Sequence, residues 1–247
     1  MHGDFGLATF ALIAAAGTGT RMARGAPDAL PKQYRSLAGQ PVLWHAVRGV
    51  CVPPVETVFV VLAPGDTAFA GIDWTAFGDR LEPLYCGGAS RAESVHNGLL
   101  AAMAAVDADD WMLVHDAARP CLPRADLERL LAECSGDPVG GLLALPVADT
   151  VKRAIDDQAG VVRAEATMDR SRLWLAQTPQ MFRAGLLAQA LHAGKPGGDY
   201  GAITDEASAI EQMGLKPRLV PGSRDNIKLT YPEDLGIAQA LLERREA

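Results

Sequence analysis

Residues 12–21 read Leu-Ile-Ala-Ala-Ala-Gly-Thr-Gly-Thr-Arg, and Pro31-Lys32 follows a short way on, so an apolar run opens into a glycine loop with two nearby cations. Gly17 and Gly19 have no Cβ to block positive φ or to hold a ligand off the backbone, so their amides can turn toward phosphate oxygens. Arg21 and Lys32 can neutralise the charge that remains. The arrangement suits a nucleoside triphosphate. It matches neither G-x-x-x-x-G-K-[ST] nor a full G-x-G-x-x-G, because Met22 stands where the latter needs its third glycine.

A second group, His115-Asp116-Ala117-Ala118-Arg119-Pro120, places a carboxylate and a guanidinium together. Asp116 can hold Mg2+ or a ribose hydroxyl, because Mg2+ usually keeps several waters and takes one or two carboxylates beside phosphate oxygens. A surface ion pair between Asp116 and Arg119 is the plainer alternative. His115 alternates to the opposite side of the strand and reads as structural.

These residues need elements to position them. Residues 10–16 and 58–62 are short and apolar, the mark of strands buried on both faces; residues 81–86 and 111–115 give two more. Between them, residues 41–50, 91–103 and 123–134 carry apolar side chains at helical spacing, with Pro41 and Pro123 expected in first turns. The alternation predicts a doubly wound α/β architecture with a parallel sheet and right-handed crossovers. Ligands then sit beyond the carboxyl ends of the strands, where the glycine loop, Gly87-Gly88 and Asp116 all fall. Residues 148–155 and 161–168 read as two strands joined by a polar turn, a projecting hairpin. An isolated two-stranded ribbon is marginal in water, so the arm is expected to pack on a second subunit. Residues 204–213 and 231–245 suit helices, the second capped by Thr230, and residues 218–220 and 226–229 suit short strands.

The 247 residues suffice for a full core, and 49% hydrophobic with 21% charged residues is ordinary for a globular α/β chain. We read residues 1–247 as one domain, with 146–172 as a dimerisation arm. A net charge of −7 argues against nucleic acid as partner. No apolar run approaches a membrane span and no secretory segment opens the chain, which points to the cytoplasm. Cys51, Cys86, Cys121 and Cys134 lack metal-ligand spacing and read as buried free thiols.

Ala15 through Arg21, Pro31-Lys32-Gln33-Tyr34, Gly87-Gly88 with Arg91-Ala92-Glu93-Ser94-Val95, the segment 115–120, Gln177-Thr178-Pro179-Gln180, Thr204-Asp205-Glu206-Ala207 and Asn226-Ile227-Lys228-Leu229-Thr230 occur in order. Together they resemble the 2-C-methyl-D-erythritol 4-phosphate cytidylyltransferase family, over residues 9–242. The resemblance implies a homodimeric Rossmann-like fold, mostly parallel, that transfers CMP from CTP to a sugar-alcohol phosphate with Mg2+ in isoprenoid precursor synthesis. It implies that Ala15, Ala16, Gly17, Gly19, Arg21 and Lys32 hold the triphosphate, that Gly88, Ala89 and Ser94 read the cytosine, and that Lys32, Lys228, Arg21 and Arg170 serve the reaction. Asp116 would hold the metal and a substrate hydroxyl. Arg119, Thr178 and Thr204 would line the acceptor pocket, with Thr150 and Arg170 reaching it from the arm of the other subunit.

Three features depart from the pattern. Ala14 replaces a proline, residues 23–30 lengthen the connection over the triphosphate, and Ala89 replaces an aspartate, leaving a base contact there to the backbone. A ribitol 5-phosphate cytidylyltransferase shares nearly all the motifs, and a nucleotide-binding regulator without catalysis is the alternative from another class.

Overall fold

The computed structural model describes residues 7–17, 31–156, 160–195, 197 and 199–246. Thr9–Ala14 forms β1, and after a 3-10 turn at Lys32–Tyr34 a small ribbon pairs β2 (Ser36–Leu37) with β3 (Gln40–Pro41). Then follow α1 (Val42–Val50), β4 (Val55–Val61), β5 (Leu81–Leu84), α2 (Arg91–Ala102), β6 (Trp111–Asp116), α3 (Arg124–Cys134) and β7 (Gly140–Pro146). The rest is β8 (Val151–Asp156), β9 (Val162–Met168), β10 (Trp174–Arg183), α4 (Ala184–Ala193), α5 (Glu206–Gln212), β11 (Arg218–Pro221) and α6 (Asp234–Glu246).

The main sheet has the order β11-β7-β10-β6-β1-β4-β5. Its strand order reverses between β1 and β6, the crevice where doubly wound sheets place ligands. Ala14 and Asp116 are register partners at the carboxyl ends of these two strands, so the glycine loop and the carboxylate emerge side by side. Both faces of the sheet's centre are covered, which is why β1 and most of β4 and β6 are apolar. Ala11 and Ile13 pack with Leu43, Val47 and Leu127 on one face, while Phe10 and Leu12 pack with Val95, Leu99 and Leu187 on the other.

The sheet is mostly rather than wholly parallel, because β10 runs antiparallel to both β6 and β7. The expected elements lack β7, β10 and α4. Gln177, Thr178, Pro179 and Gln180 interrupt the apolar run, and Pro179 argues against a central strand; the register shift between Ala176 and Gln180 accommodates it. Residues 226–229 form no strand, and only isolated bonds such as Leu229 N–H to the Ala118 carbonyl (2.8 Å) tie them down. Pro41 and Pro123 sit at the caps of their helices rather than inside them. Thr230 is not the cap of α6: the Asp234 carboxylate takes the amides of Thr230 and Tyr231 instead.

The arm is present as β8 paired with β9, and its side chains are almost all exposed. The four cysteines carry free thiols; Cys86 is only half-buried, while the other three are buried.

Gly140 has φ of 100°, and a Cβ there would collide with the Met181 carbonyl oxygen of β10. Gly140→Ala is therefore expected to lower unfolding free energy by about 2 kcal/mol or more through strain and collision. Gly136→Ala, where a Cβ meets nothing within 4 Å, should cost far less in the same chemical denaturation experiment.

Candidate active site

Beyond the ends of β1 and β6 lies a cavity of about 530 Å3, lined by Ala14–Gly17, Lys32, Gln33, residues 88–91, Ser94, residues 116–118, Lys228 and Thr230. Its size falls within the range of small-ligand sites. The Gln33 amide donates to the Ala15 carbonyl at 2.7 Å and the Gly17 carbonyl at 3.0 Å, which fixes the start of the glycine loop. Gly17 has no positive φ, and open space surrounds the position of a Cβ, so no left-handed turn requires this glycine and its backbone faces open space. Gly19 and Arg21, together with the connection 23–30, lie outside the described residues.

Asp116 is the electrostatic centre. Its Oδ1 accepts from Arg91 Nε at 2.8 Å, its Oδ2 pairs with Lys228 Nζ at 2.7 Å, and Arg119 Nε stands 3.9 Å from Oδ2. Burial by itself would raise the carboxyl pKa, but Arg91, Lys228 and Arg119 more than reverse that, and the group lies far below the usual carboxylate range. Asp116 is thus a buried anion held by cations, not one half of a surface pair. Arg91 also forks onto Glu206, at 2.7 and 3.1 Å.

The cations reach this point by separate routes. Asn226 donates to the Thr178 carbonyl at 2.8 Å and accepts from Arg119 through its own carbonyl at 2.6 Å, stapling the segment before Lys228 against β10 and the turn after β6. Lys32 Nζ lies 3.4 Å from the Leu229 carbonyl. Residues 196 apart in the chain, Lys32 and Lys228, therefore line one cavity.

Below the carboxylate, the Thr178 hydroxyl accepts the Asp116 amide at 3.0 Å and contacts His115 Nδ1 at 3.0 Å, while His115 Nε2 contacts the Arg119 carbonyl at 3.1 Å. The consistent assignment has Thr178 donating to Nδ1 and Nε2–H donating to Arg119, a neutral imidazole with both nitrogens satisfied. Burial pushes the His115 pKa down to about 4, with Arg119 and Arg91 also lowering it and Asp116 opposing.

At the other end, Ser94 Oγ accepts the Gly88 amide at 3.0 Å and donates to the Ser90 carbonyl at 2.8 Å. The Ala89 amide expected for a base is engaged by Glu93 Oε2 at 2.7 Å, so a base takes that donor only by displacing the carboxylate. Gly88 permits this: a Cβ there would collide with the Glu93 side chain.

The remaining expected site residues divide in two. Arg119 and Thr178 are buried behind Asp116 and line no part of the cavity, while Thr150, Arg170 and Thr204 are exposed and outside it.

The family model for 2-C-methyl-D-erythritol 4-phosphate cytidylyltransferase matches residues 9–244. The chain belongs to this family. Relatives of that name from Dechloromonas aromatica and Laribacter hongkongensis are 51% and 56% identical, covering 96% and 94% of this chain and 98% and 95% of their own. A crystal structure of 4-diphosphocytidyl-2C-methyl-D-erythritol synthase is similar at 41% identity and a TM-score of 0.79, over 96% of this chain and 98% of that one. The Francisella tularensis 2-C-methyl-D-erythritol 4-phosphate cytidylyltransferase is similar at 32% identity, with a TM-score of 0.75, over 95% and 99%.

Within this cytidylyltransferase family chain, the sequence reading gave no role to Arg91, Glu206, Gln33 or Glu93. All four stand inside the motifs that carry the family resemblance, which is the signal the sequence offers for them. Asp116 is the one carboxylate among the described residues that line the cavity. Each of its oxygens keeps a second lone pair beyond its cation, a hard-oxygen donor that fits Mg2+ arriving with phosphate oxygens. No group of three or more acidic, His or Cys residues among the described residues makes a protein-only metal cage.

The lowered His115 pKa carries a sign. A buried imidazole kept neutral contributes stability that is full above its unfolded value near 6.5 and is lost as pH falls toward about 4. Thermal denaturation of the wild type should therefore show Tm falling across that window, and His115→Gln should flatten the slope there. An unchanged slope would show that His115 is not the group responsible.

Proposed function

We propose that this chain transfers CMP from CTP to 2-C-methyl-D-erythritol 4-phosphate and releases pyrophosphate. What supports it most is the meeting of Lys32, Lys228, Arg91 and Asp116 around one cavity beside the glycine loop. The acceptor is the one after which the relatives are named.

An oxygen of the acceptor phosphate attacks the α-phosphorus of CTP. A new P–O bond forms, the bond to the bridging oxygen breaks, and its electron pair leaves on pyrophosphate. The nucleophile is already an anion, so the reaction needs alignment and charge neutralisation more than a base. Two anions must approach, and fixed cations in a partly dehydrated cleft lower that repulsion more than water does. Lys32 supplies a compact donor for an oxygen at the α-phosphorus. Lys228, about a third exposed, can exchange Asp116 for a phosphoryl oxygen. Asp116 would hold Mg2+, which would add positive charge beside the triphosphate.

Gly17 leaves the backbone open to the phosphates, with Ala15, Ala16, Gly19 and Arg21 completing that cradle in this reading. Ser94 and the 88–89 backbone face the cytosine. Arg119 and Thr178 act by holding Asp116. Thr150 and Arg170 serve the cavity of a second copy of the chain, which makes the enzyme a homodimer, and Thr204 lies on the acceptor's side. The reaction belongs in the cytoplasm, where CTP is available, and among the described residues no helix is long and apolar enough to cross a membrane.

Pyrophosphate release with CTP, Mg2+ and either 2-C-methyl-D-erythritol 4-phosphate or ribitol 5-phosphate tests the reading, with turnover expected for the branched acceptor. No release with either would favour a binding protein. Lys32→Ala and Lys228→Ala should each reduce kcat by about a hundredfold, ~3 kcal/mol of transition-state stabilisation. Rates close to wild type would remove them from catalysis.

Arg170→Ala should chiefly raise the acceptor KM. Mixing its subunits with Lys228→Ala subunits should partly restore activity, since one site of each mixed dimer is then intact. Failure of rescue in verified mixed dimers would contradict the shared site.

A further inference from the structure

Glu206, the first residue of α5, is buried, with its side chain about 1% exposed. Its carboxylate takes both terminal nitrogens of Arg91, Nη1 at 2.7 Å and Nη2 at 3.1 Å, while Arg91 Nε donates to Asp116 at 2.8 Å. One planar guanidinium thus spans two carboxylates, a geometry that a lysine cannot reproduce. Glu206 itself comes from a fixed element. Gln180 of β10 accepts the Ala207 amide at 2.7 Å and donates to Asp205 at 2.8 Å, and the Asp205 side chain caps α5 at Ser208. The same strand provides Thr178, whose hydroxyl holds the Asp116 backbone. Strand β10 therefore fixes Asp116 twice, through its main chain directly and through its side chain by way of Glu206 and Arg91.

From this bridge we infer that Glu206 is a positioning residue for nucleotidyl transfer: it aims Arg91 so that Asp116 is held in one orientation, and it keeps Arg91 from following the triphosphate. The inference rests on the function proposed above. A fully buried carboxylate stripped of its partner is strongly disfavoured, so the fork stays closed when an anion arrives. The charges agree with this division. Arg91, Arg119 and Lys228 surround Asp116, and Glu206 offsets Arg91, which leaves Lys228, the most exposed of the three, to answer the substrate. A plain structural tie between α2 and α5 would predict lost stability and nothing else.

Glu206→Gln keeps the shape and removes the charge, whereas Arg91→Lys keeps the charge and removes the bridge. With CTP, Mg2+ and the branched acceptor, each is expected to lose about tenfold or more in kcat, because Asp116 is then no longer held in one orientation. The KM for CTP should stay within about threefold, and Glu206→Asp should recover part of the loss. Because both substitutions break one chain of contacts, the double variant should be no slower than the worse single one. Crystal structures of the variants should show the Asp116 carboxylate turned from its present orientation.

A lowered Tm with unchanged kcat overturns the proposal, as do multiplied losses in the double variant or an unmoved Asp116. If Glu206→Gln does not fold, Arg91→Lys carries the same expectations. If the wild type itself releases no pyrophosphate, the proposed function fails instead, and the Arg91→Lys structure still decides whether the bridge orients Asp116.

Discussion

An ionised carboxylate buried in a protein must be met by cations, and Asp116 is met by three: Arg91 at 2.8 Å, Lys228 at 2.7 Å and Arg119 at 3.9 Å. This requirement organises the site. It draws the start of α2, the end of β6 and the segment after Asn226 to one place, and it leaves an excess of positive charge facing the cavity. A cluster held together by one anion is a poor place for neutral ligands and a good one for a polyanion. Removing Asp116 would take the shared carboxylate from Lys228 and Arg119 and leave Arg91 to Glu206 alone.

The sheet makes the meeting possible. The reversal of strand order between β1 and β6 opens a crevice at the carboxyl ends, and the register pairing of Ala14 with Asp116 sets the glycine loop beside the carboxylate. Strand β10, running against its neighbours, provides the rigid support beneath: Thr178 for the Asp116 backbone and Gln180 for the helix that carries Glu206. The chain belongs to the cytidylyltransferase family, and a phosphate nucleophile that is already an anion needs positioned charge more than a base.

Much of this was legible in the sequence, for physical reasons. Strands buried on both faces must be apolar throughout, so β1, β4 and β6 showed themselves, and the residues just beyond them marked the crevice. Asp116, Lys32 and Lys228 were found because each follows such a strand or stands in a motif. The reading failed where tertiary contacts override local pattern. Pro179 and its polar neighbours hid β10, since a register shift that tolerates them is a property of the assembled sheet. Residues 226–229 looked like a strand but are held by side-chain staples instead. Glu206 passed unnoticed because a glutamate in a first turn is ordinarily a solvated helix starter, and only the fold shows it sealed against Arg91. The Ala89 amide seemed open because nothing in the sequence says that Glu93 folds back over Gly88.

The most direct test is a crystal structure of the protein with CTP and Mg2+. The Nζ atoms of Lys32 and Lys228 are both expected on triphosphate oxygens, with the 2.7 Å pairing of Lys228 to Asp116 given up and Arg91 unmoved. A triphosphate bound elsewhere, with Lys228 still on Asp116, would contradict it.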